Sequence, residues 1–114
     1  VKKVDKAWGL ETWLTNREYC AKYLDIKPGW RCSVHRHKNK DETFVVVKGA
    51  CFLEIGGVEH IAREDDGKEY HISPLTWHWF GVPKQWGPCR MLEISTHHED
   101  EDCERRIPSR HFDE

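Results

Sequence analysis

Three histidines and a glutamate stand at spacings that suit a metal ion. His35 and His37 are two residues apart, and on a β-strand such residues point to the same face, so both imidazoles enter one space. The polar stretch 38–41 can turn the chain back antiparallel, so Glu42 is expected to open the adjacent strand and face them. His78 follows Ser73-Pro74-Leu75-Thr76-Trp77, a rigid turn that delivers it to the same place. Three neutral imidazoles and a carboxylate suit a divalent transition metal: Mn, Fe, Ni, Co or Zn. Four protein ligands leave an octahedral ion two positions for water or substrate. A lone histidine is more often an ordinary surface or core residue; the spacing sets these apart.

The elements that must position them are strands. Short apolar or alternating runs recur at 19–26, 30–37, 43–48, 50–55, 58–62, 69–73, 78–82 and 89–96. They are separated by turn residues such as Lys27-Pro28-Gly29, Gly56-Gly57, Asp65-Asp66-Gly67 and Trp86-Gly87-Pro88. No helical period of useful length interrupts them. The pattern predicts an all-β sandwich or barrel. A chain of 114 residues, without repeats or linkers, reads as a single domain over 1–114. The acidic stretch 98–104 and the tail to 114 are expected on the surface or partly ordered.

Composition narrows the function classes. Eighteen Lys+Arg against twenty Asp+Glu give a net charge of −2, with the basic residues scattered, so nucleic acid is not an expected partner. No apolar run reaches the ~18–20 residues that span a membrane, and the first residues lack a signal-peptide core, so a cytoplasmic protein is expected. The five cysteines show no CxxC spacing and are expected to be free, mostly buried thiols.

The full spacing is Gly29-x5-His35-x-His37-x4-Glu42-x6-Gly49. It resembles the first cupin motif at every fixed position. Gly67 followed by the 73–78 segment resembles the second, with Ser73 where the family usually has Pro and Leu75 where it usually has Gly. The resemblance implies a double-stranded β-helix, a small jelly-roll barrel, and carries the ligand roles onto His35, His37, Glu42 and His78. A narrower likeness rests on Trp8-Gly9, Tyr19, Lys22, Lys27-Pro28-Gly29, Leu92-Glu93-Ile94, Glu101-Asp102 and Arg105, with the motif residues between. Together these are similar to the C-terminal cupin domain of type II mannose-6-phosphate isomerases. Here His35 stands where that family often has Gln, and Trp79 where a basic residue often follows the last ligand.

That likeness implies a sugar or sugar-phosphate substrate and aldose–ketose isomerisation. Such chemistry needs a metal to polarise the carbonyl and a base to move a proton between C1 and C2. Glu93, an acid in the apolar run Met91-Leu92-Glu93-Ile94, is the candidate base if it faces the cavity rather than an exposed sheet face. Lys22 is the second catalytic candidate. It and Lys48 share faces with apolar neighbours, but their long stems are expected to snorkel to the rim. Arg105 is a phosphate-binding candidate or an ordinary exposed tail residue. Trp30, Trp77 and Trp79 are placed either to stack on a sugar or to pack in the core or a dimer interface, and Trp8 and Trp13 to close one end of the barrel. Six tryptophans and open sheet edges predict a homodimer. Two other functions fit the same metal site: a cupin dioxygenase, and a non-catalytic sugar-binding or sensing module.

Overall fold

A computed structural model of the chain describes residues 1–113. Its strands are β1 (Lys2–Lys6), β2 (Gly9–Asn16), β3 (Tyr19–Ile26), β4 (Trp30–Arg31), β5 (Val34–His37), β6 (Glu42–Lys48) and β7 (Ala50–Ile55). They continue as β8 (Val58–Arg63), β9 (Tyr70–Ile72), β10 (His78–Val82), β11 (Cys89–Thr96), β12 (Cys103–Ile107) and β13 (Arg110–His111). One sheet runs β1-β2-β3-β11-β6-β9. The other runs β12-β5-β10-β4-β13, with β7 paired to β10 and to β8. All pairs are antiparallel, and the inner faces enclose one core: a barrel, as the turn spacing predicts, in the jelly-roll form that the resemblance implies.

The inward series of four strands explains where the site lies. On β3 it reads Ile26, Leu24, Lys22; on β6, Val46, Phe44, Glu42; on β11, Met91, then Glu93; on β10, Val82, Phe80, His78. All of these are buried. The registers bring Leu24, Met91 and Val46 level, and set Glu93 beside Lys22 on one side and Phe44 on the other. Each strand therefore changes from apolar to ionisable toward the same end of the barrel. One end packs as a hydrophobic plug, and the other gathers side chains that can do chemistry.

Strand β10 is buried on both faces. Arg31 and Phe112 cover its outer side so closely that a Cβ on Gly81 would lie 2.8 Å from Arg31 Cβ. Gly49, the last fixed glycine of the motif, takes φ +84° between β6 and β7, where a Cβ would meet Pro88 O at 2.5 Å.

The structure departs from the sequence expectation in three places. Strands β1 and β2 add a hairpin at one sheet edge. β5 and β6 lie in opposite sheets rather than side by side, so Glu42 faces the histidines across the barrel interior. The segment read as a solvated tail forms a 3-10 turn at Asp100–Asp102 and then β12 and β13, which complete the second sheet. Asp102 is buried, and its carboxylate accepts the backbone N–H of Asn39 and of Lys40 at 2.9 and 3.0 Å. Charge alone marks that run as solvated; the two unpaired N–H groups of the 38–41 loop draw one of its carboxylates inside.

Candidate metal centre and its cavity

His78 and His35 are direct partners across β10 and β5, and His37 follows two residues on along the same face. One ligand atom from each of the three rings lies within 4.8 Å of the other two. Two of the rings are set by the same local device. His78 Nδ1 lies 2.9 Å from Thr76 O, and His35 Nδ1 lies 2.7 Å from Ser33 O. A carbonyl can only accept, so Nδ1 carries the proton in both rings and Nε2 keeps its lone pair. Burial, and then the neighbouring His78, push the His35 imidazole down to about 3. Burial, helped by the Lys40 charge, also holds His37 well below the ordinary range. Both are neutral at physiological pH.

Glu42 reaches in from the opposite sheet. Its Oε2 lies 3.3 Å from Nε2 of His37 and 3.3 Å from Nε2 of His78. Among the described residues neither that oxygen nor His78 Nε2 has a hydrogen-bond partner, although both are buried. Electron-rich atoms converging without a donor repel one another and forgo solvation. A cation among them removes both costs, and nitrogen with carboxylate oxygen is a donor set for a divalent transition metal. The cluster fits such an ion.

Beside it lies a buried ion pair. Glu93 points inward, the first of the two orientations open to it in the sequence. Its Oε2 lies 3.1 Å from Lys40 Nζ, which is also 3.7 Å from Oε1 of Glu42. Ser95 Oγ donates to the same Glu93 oxygen at 3.2 Å. Burial opposes ionisation of Glu93, but the charges of Lys40 and Lys22 outweigh it and hold the carboxyl below its ordinary value. Lys40 behaves in mirror image: burial pulls its pKa down, and Glu93 and Glu42 more than restore it.

Lys40 is the residue that sequence reasoning missed, because it was assigned to a turn. The available signal was its place two residues before Glu42, in line with the inward series Glu42, Phe44, Val46. Lys22, expected at the rim, is instead 1% exposed. Its Nζ lies 3.5 Å from Glu11 Oε1 and 4.1 Å from the Trp13 ring centroid. An aromatic face and a carboxylate replace the water that snorkelling would have provided. Lys48 is exposed, in keeping with its expectation.

His35, His37 and Glu42, with Lys22, Lys40 and Glu93, line a cavity of about 100 Å³, with Trp8, Phe44 and Phe80 as its aromatic wall. That is below the ~300 Å³ at which ligand pockets begin. Trp30, Trp77 and Trp79 are not part of the wall. Trp79 is buried on the outer side of β10, donating to Glu54 at 2.7 Å. Trp77 meets the guanidinium groups of Arg36 and Arg106, each 4.6 Å from its ring centroid. Trp30 packs against His111.

Comparison with known proteins places the fold. The D-lyxose/D-mannose isomerase of Thermosediminibacter oceani is 29% identical over 117 residues, spanning 81% of this chain but 64% of the isomerase. The chain thus spans less than two thirds of that enzyme. Among solved structures, KdgF from Halomonas sp. superposes with a TM-score of 0.75 at 16% identity, over 89% of this chain and 90% of KdgF. The capsular polysaccharide assembling protein CapF from Staphylococcus aureus gives a TM-score of 0.79 at 17% identity, over 93% of this chain and 34% of CapF. At such identities the likeness is one of fold. The cupin domain family matches residues 22–95, a span that runs from Lys22 through the histidine cluster to Ser95, and the chain belongs to that family.

Proposed function

We propose that the chain is a metal-dependent aldose–ketose isomerase acting on a small sugar or sugar phosphate. In this reading His35, His37, Glu42 and His78 hold a divalent transition metal and Glu93 is the base. The observation that carries it is the buried Lys40–Glu93 pair, placed against Glu42 at the edge of the histidine cluster. Metal storage needs only the ligands. A carboxylate kept ionised in a desolvated wall, with a movable ammonium beside it, is what proton transfer at carbon needs. The relationship to a D-lyxose/D-mannose isomerase supports the same choice.

The ion, when bound, polarises the substrate carbonyl and its neighbouring hydroxyl. Glu93 takes the proton from C2, and the C2–H electrons form the C1–C2 double bond of an enediol as the carbonyl electrons move onto O1. Lys40 shifts its hydrogen bond from Glu93 toward the substrate oxygens, which strengthens the base as it is needed and stabilises the developing charge. Glu93 then returns the proton at C1, and the O2 proton passes to O1 to leave a ketose. Lys22 sits next to Glu93 in the sheet and lends its charge from beside Glu11. Its role in this reading is positioning. All five cysteines are free thiols, which supports a reducing compartment such as the cytoplasm, and no helix among the described residues is long and apolar enough to cross a membrane.

The test is to load the protein with Mn, Fe, Co, Ni or Zn and offer D-lyxose, D-mannose and aldose phosphates. Ketose formation with solvent deuterium entering the product is expected. Fully metallated protein that isomerises none of them refutes the proposal, and oxygen consumption in its place assigns the site to dioxygenation.

A further inference from the structure

The cavity wall carries one histidine besides those of the metal cluster. His98 follows β11 and lines the cavity together with Asp100, its side chain 11% exposed. Its Nδ1 lies 3.0 Å from Lys40 Nζ, and its Nε2 lies 2.9 Å from Asp100 Oδ1. An ammonium can only donate, and an ionised carboxylate can only accept. The ring is therefore the tautomer with its lone pair on Nδ1 and its proton on Nε2. It joins buried Lys40 to an aspartate whose side chain is 84% exposed.

Strand β2 holds this ring in place. The Asn16 side chain brackets the backbone of residue 98: Nδ2 donates to His98 O at 3.0 Å, and Oδ1 accepts His98 N–H at 2.9 Å. Trp13 meets the imidazole edge-on, with centroids 5.1 Å apart and planes at 81°. Asn16 and Trp13 precede the span that matches the cupin family, and His98 and Asp100 follow it. The arrangement is built by the flanking segments.

For Lys40 the consequence is directional. An ammonium has three N–H bonds. Glu93 Oε2 takes one at 3.1 Å, and His98 Nδ1 takes another at 3.0 Å. Glu42 Oε1, at 3.7 Å, is beyond hydrogen-bond reach. Two anchored bonds leave the third for a substrate oxygen. When Lys40 releases Glu93, it still has an anchor.

We propose that His98 is a positioning residue for Lys40. Through Nδ1 it holds the ammonium while Lys40 exchanges Glu93 for the substrate oxygens, and Asp100 fixes the tautomer that makes this possible. The proposal rests on the isomerase reading for what Lys40 does, but not for what holds it. Without the ring, Glu93 is the sole short-range tether, and the ammonium stays on the base. The loss then falls on turnover rather than on substrate binding.

Nitrogen NMR of the zinc-loaded, isotope-labelled protein tests the placement without turnover. His98 is expected with an unprotonated Nδ1 and a protonated Nε2, and Lys40 Nζ as a sharp, slowly exchanging ammonium signal. In His98→Leu that signal should broaden, because a bond that slows its exchange is gone. In the metal-loaded enzyme the same variant should lose about tenfold or more in kcat, the scale of one charge-assisted hydrogen bond. KM should stay within about twofold, and metal content should not change. His98→Gln, whose amide oxygen can accept from Lys40, should recover part of both the signal and the rate. A protonated Nδ1 in the unmodified protein overturns the proposal, and so does a Lys40 signal equally sharp in the Leu variant. A kcat loss that Gln does not relieve also overturns it, since a packing defect alone would produce that. Should the Leu variant fail to fold, the tautomer in the unmodified protein and the Lys40 signal in the Gln variant decide. If no aldose is turned over, the isomerase reading fails by itself, and the two NMR signals still decide whether His98 holds Lys40.

Discussion

Oε2 of Glu93 lies 3.1 Å from Nζ of Lys40, and the two side chains come from distant parts of the chain, one on β11 and one in the loop before β6. Neither charge would be stable there alone, since an isolated ion in a desolvated wall costs several kcal/mol. Together with Glu42 and Ser95 they form a polar wall whose charges are fixed by one another. In the proposed reaction the base and the residue that tunes it are thus held by the fold before any substrate arrives.

Glu93→Gln keeps the size and most of the hydrogen bonding while removing the base. Turnover is expected to fall by roughly 10²–10⁴-fold, the scale of general-base loss, while bound metal stays near the unmodified level. Solvent deuterium should enter the ketose made by the unmodified enzyme. Unchanged turnover in the Gln variant would move the base to another residue, and steady-state assay with metal analysis on the same sample distinguishes the outcomes.

His37→Ala and His78→Ala each remove one of the convergent donors. Metal content by elemental analysis is expected near one divalent ion per chain in the unmodified protein, to drop in each variant, and to vanish in the double variant. The His37 variant should remain folded, because Nδ1 of His37 is buried without a hydrogen-bond partner among the described residues and its loss strands no partner there. Stoichiometric metal in the double variant refutes the assigned ligands.

Much of this was legible in the sequence because central strands are buried on at least one face. β3, β7, β10 and β11 span the residues that their alternation or apolar runs predict. The inward series that end in Glu42, His78 and Glu93 carry the site in the same period. What escaped lies at the edges. β1, β2 and β12 are half-exposed along their length, so polar residues occupy both faces and no period survives. Lys40 escaped for a different reason. Its burial depends on Glu93, fifty-three residues away, and on Asp102 holding its loop, relations that no local window contains.

Acid should weaken the β8–β9 turn. Asp66 accepts the backbone N–H of Arg63 at 3.0 Å and of Lys68 at 2.8 Å, and the Tyr70 hydroxyl donates to it at 3.0 Å. The Arg63 and then the Lys68 bonds lead in holding its carboxyl below its ordinary value of 3.8. A carboxyl whose folded pKa is the lower contributes its stability in full above the unfolded value and loses it as pH falls through the folded one. Urea midpoints measured from pH 6 to 3 should therefore decline more steeply in the unmodified protein than in Asp66→Asn. Tyr70, pushed up to about 12 by burial and then by Asp66, should titrate at lower pH in that variant. Parallel urea profiles would dismiss the turn as an acid-sensitive element.

The outer face of the first sheet carries the exposed apolar residues Leu14, Tyr19, Val47 and Ile94, with the Arg90–Asp25 pair beside them. A two-fold axis through that face would set apolar surface on apolar surface and let each Arg90 meet a partner's acid, so a homodimer is expected. Light scattering at micromolar concentration should report twice the chain mass, and Val47→Lys with Ile94→Lys should halve it without loss of strand signal. A monomer across ordinary salt excludes this association.

Leu75 bears the cost of departing from the family pattern. It takes φ +65°, in the left-handed region where a β-carbon crowds the backbone, at the position where the family usually has Gly. The turn survives because Leu75 N–H donates to His37 O at 2.7 Å, tying the segment that delivers His78 to the strand that carries His37. The side chain does little in return, being 56% exposed. Leu75→Gly should therefore relieve more strain than it adds in unfolded-state freedom, a net gain of about 1 kcal/mol, or about 4 °C in Tm for a domain of this size. Leu75→Ala retains the β-carbon and should give no such rise. Metal content should be unaffected in both, since the backbone bond to His37 remains. A Tm that falls in the Gly variant would mean that the exposed leucine contributes packing that outweighs the strained backbone.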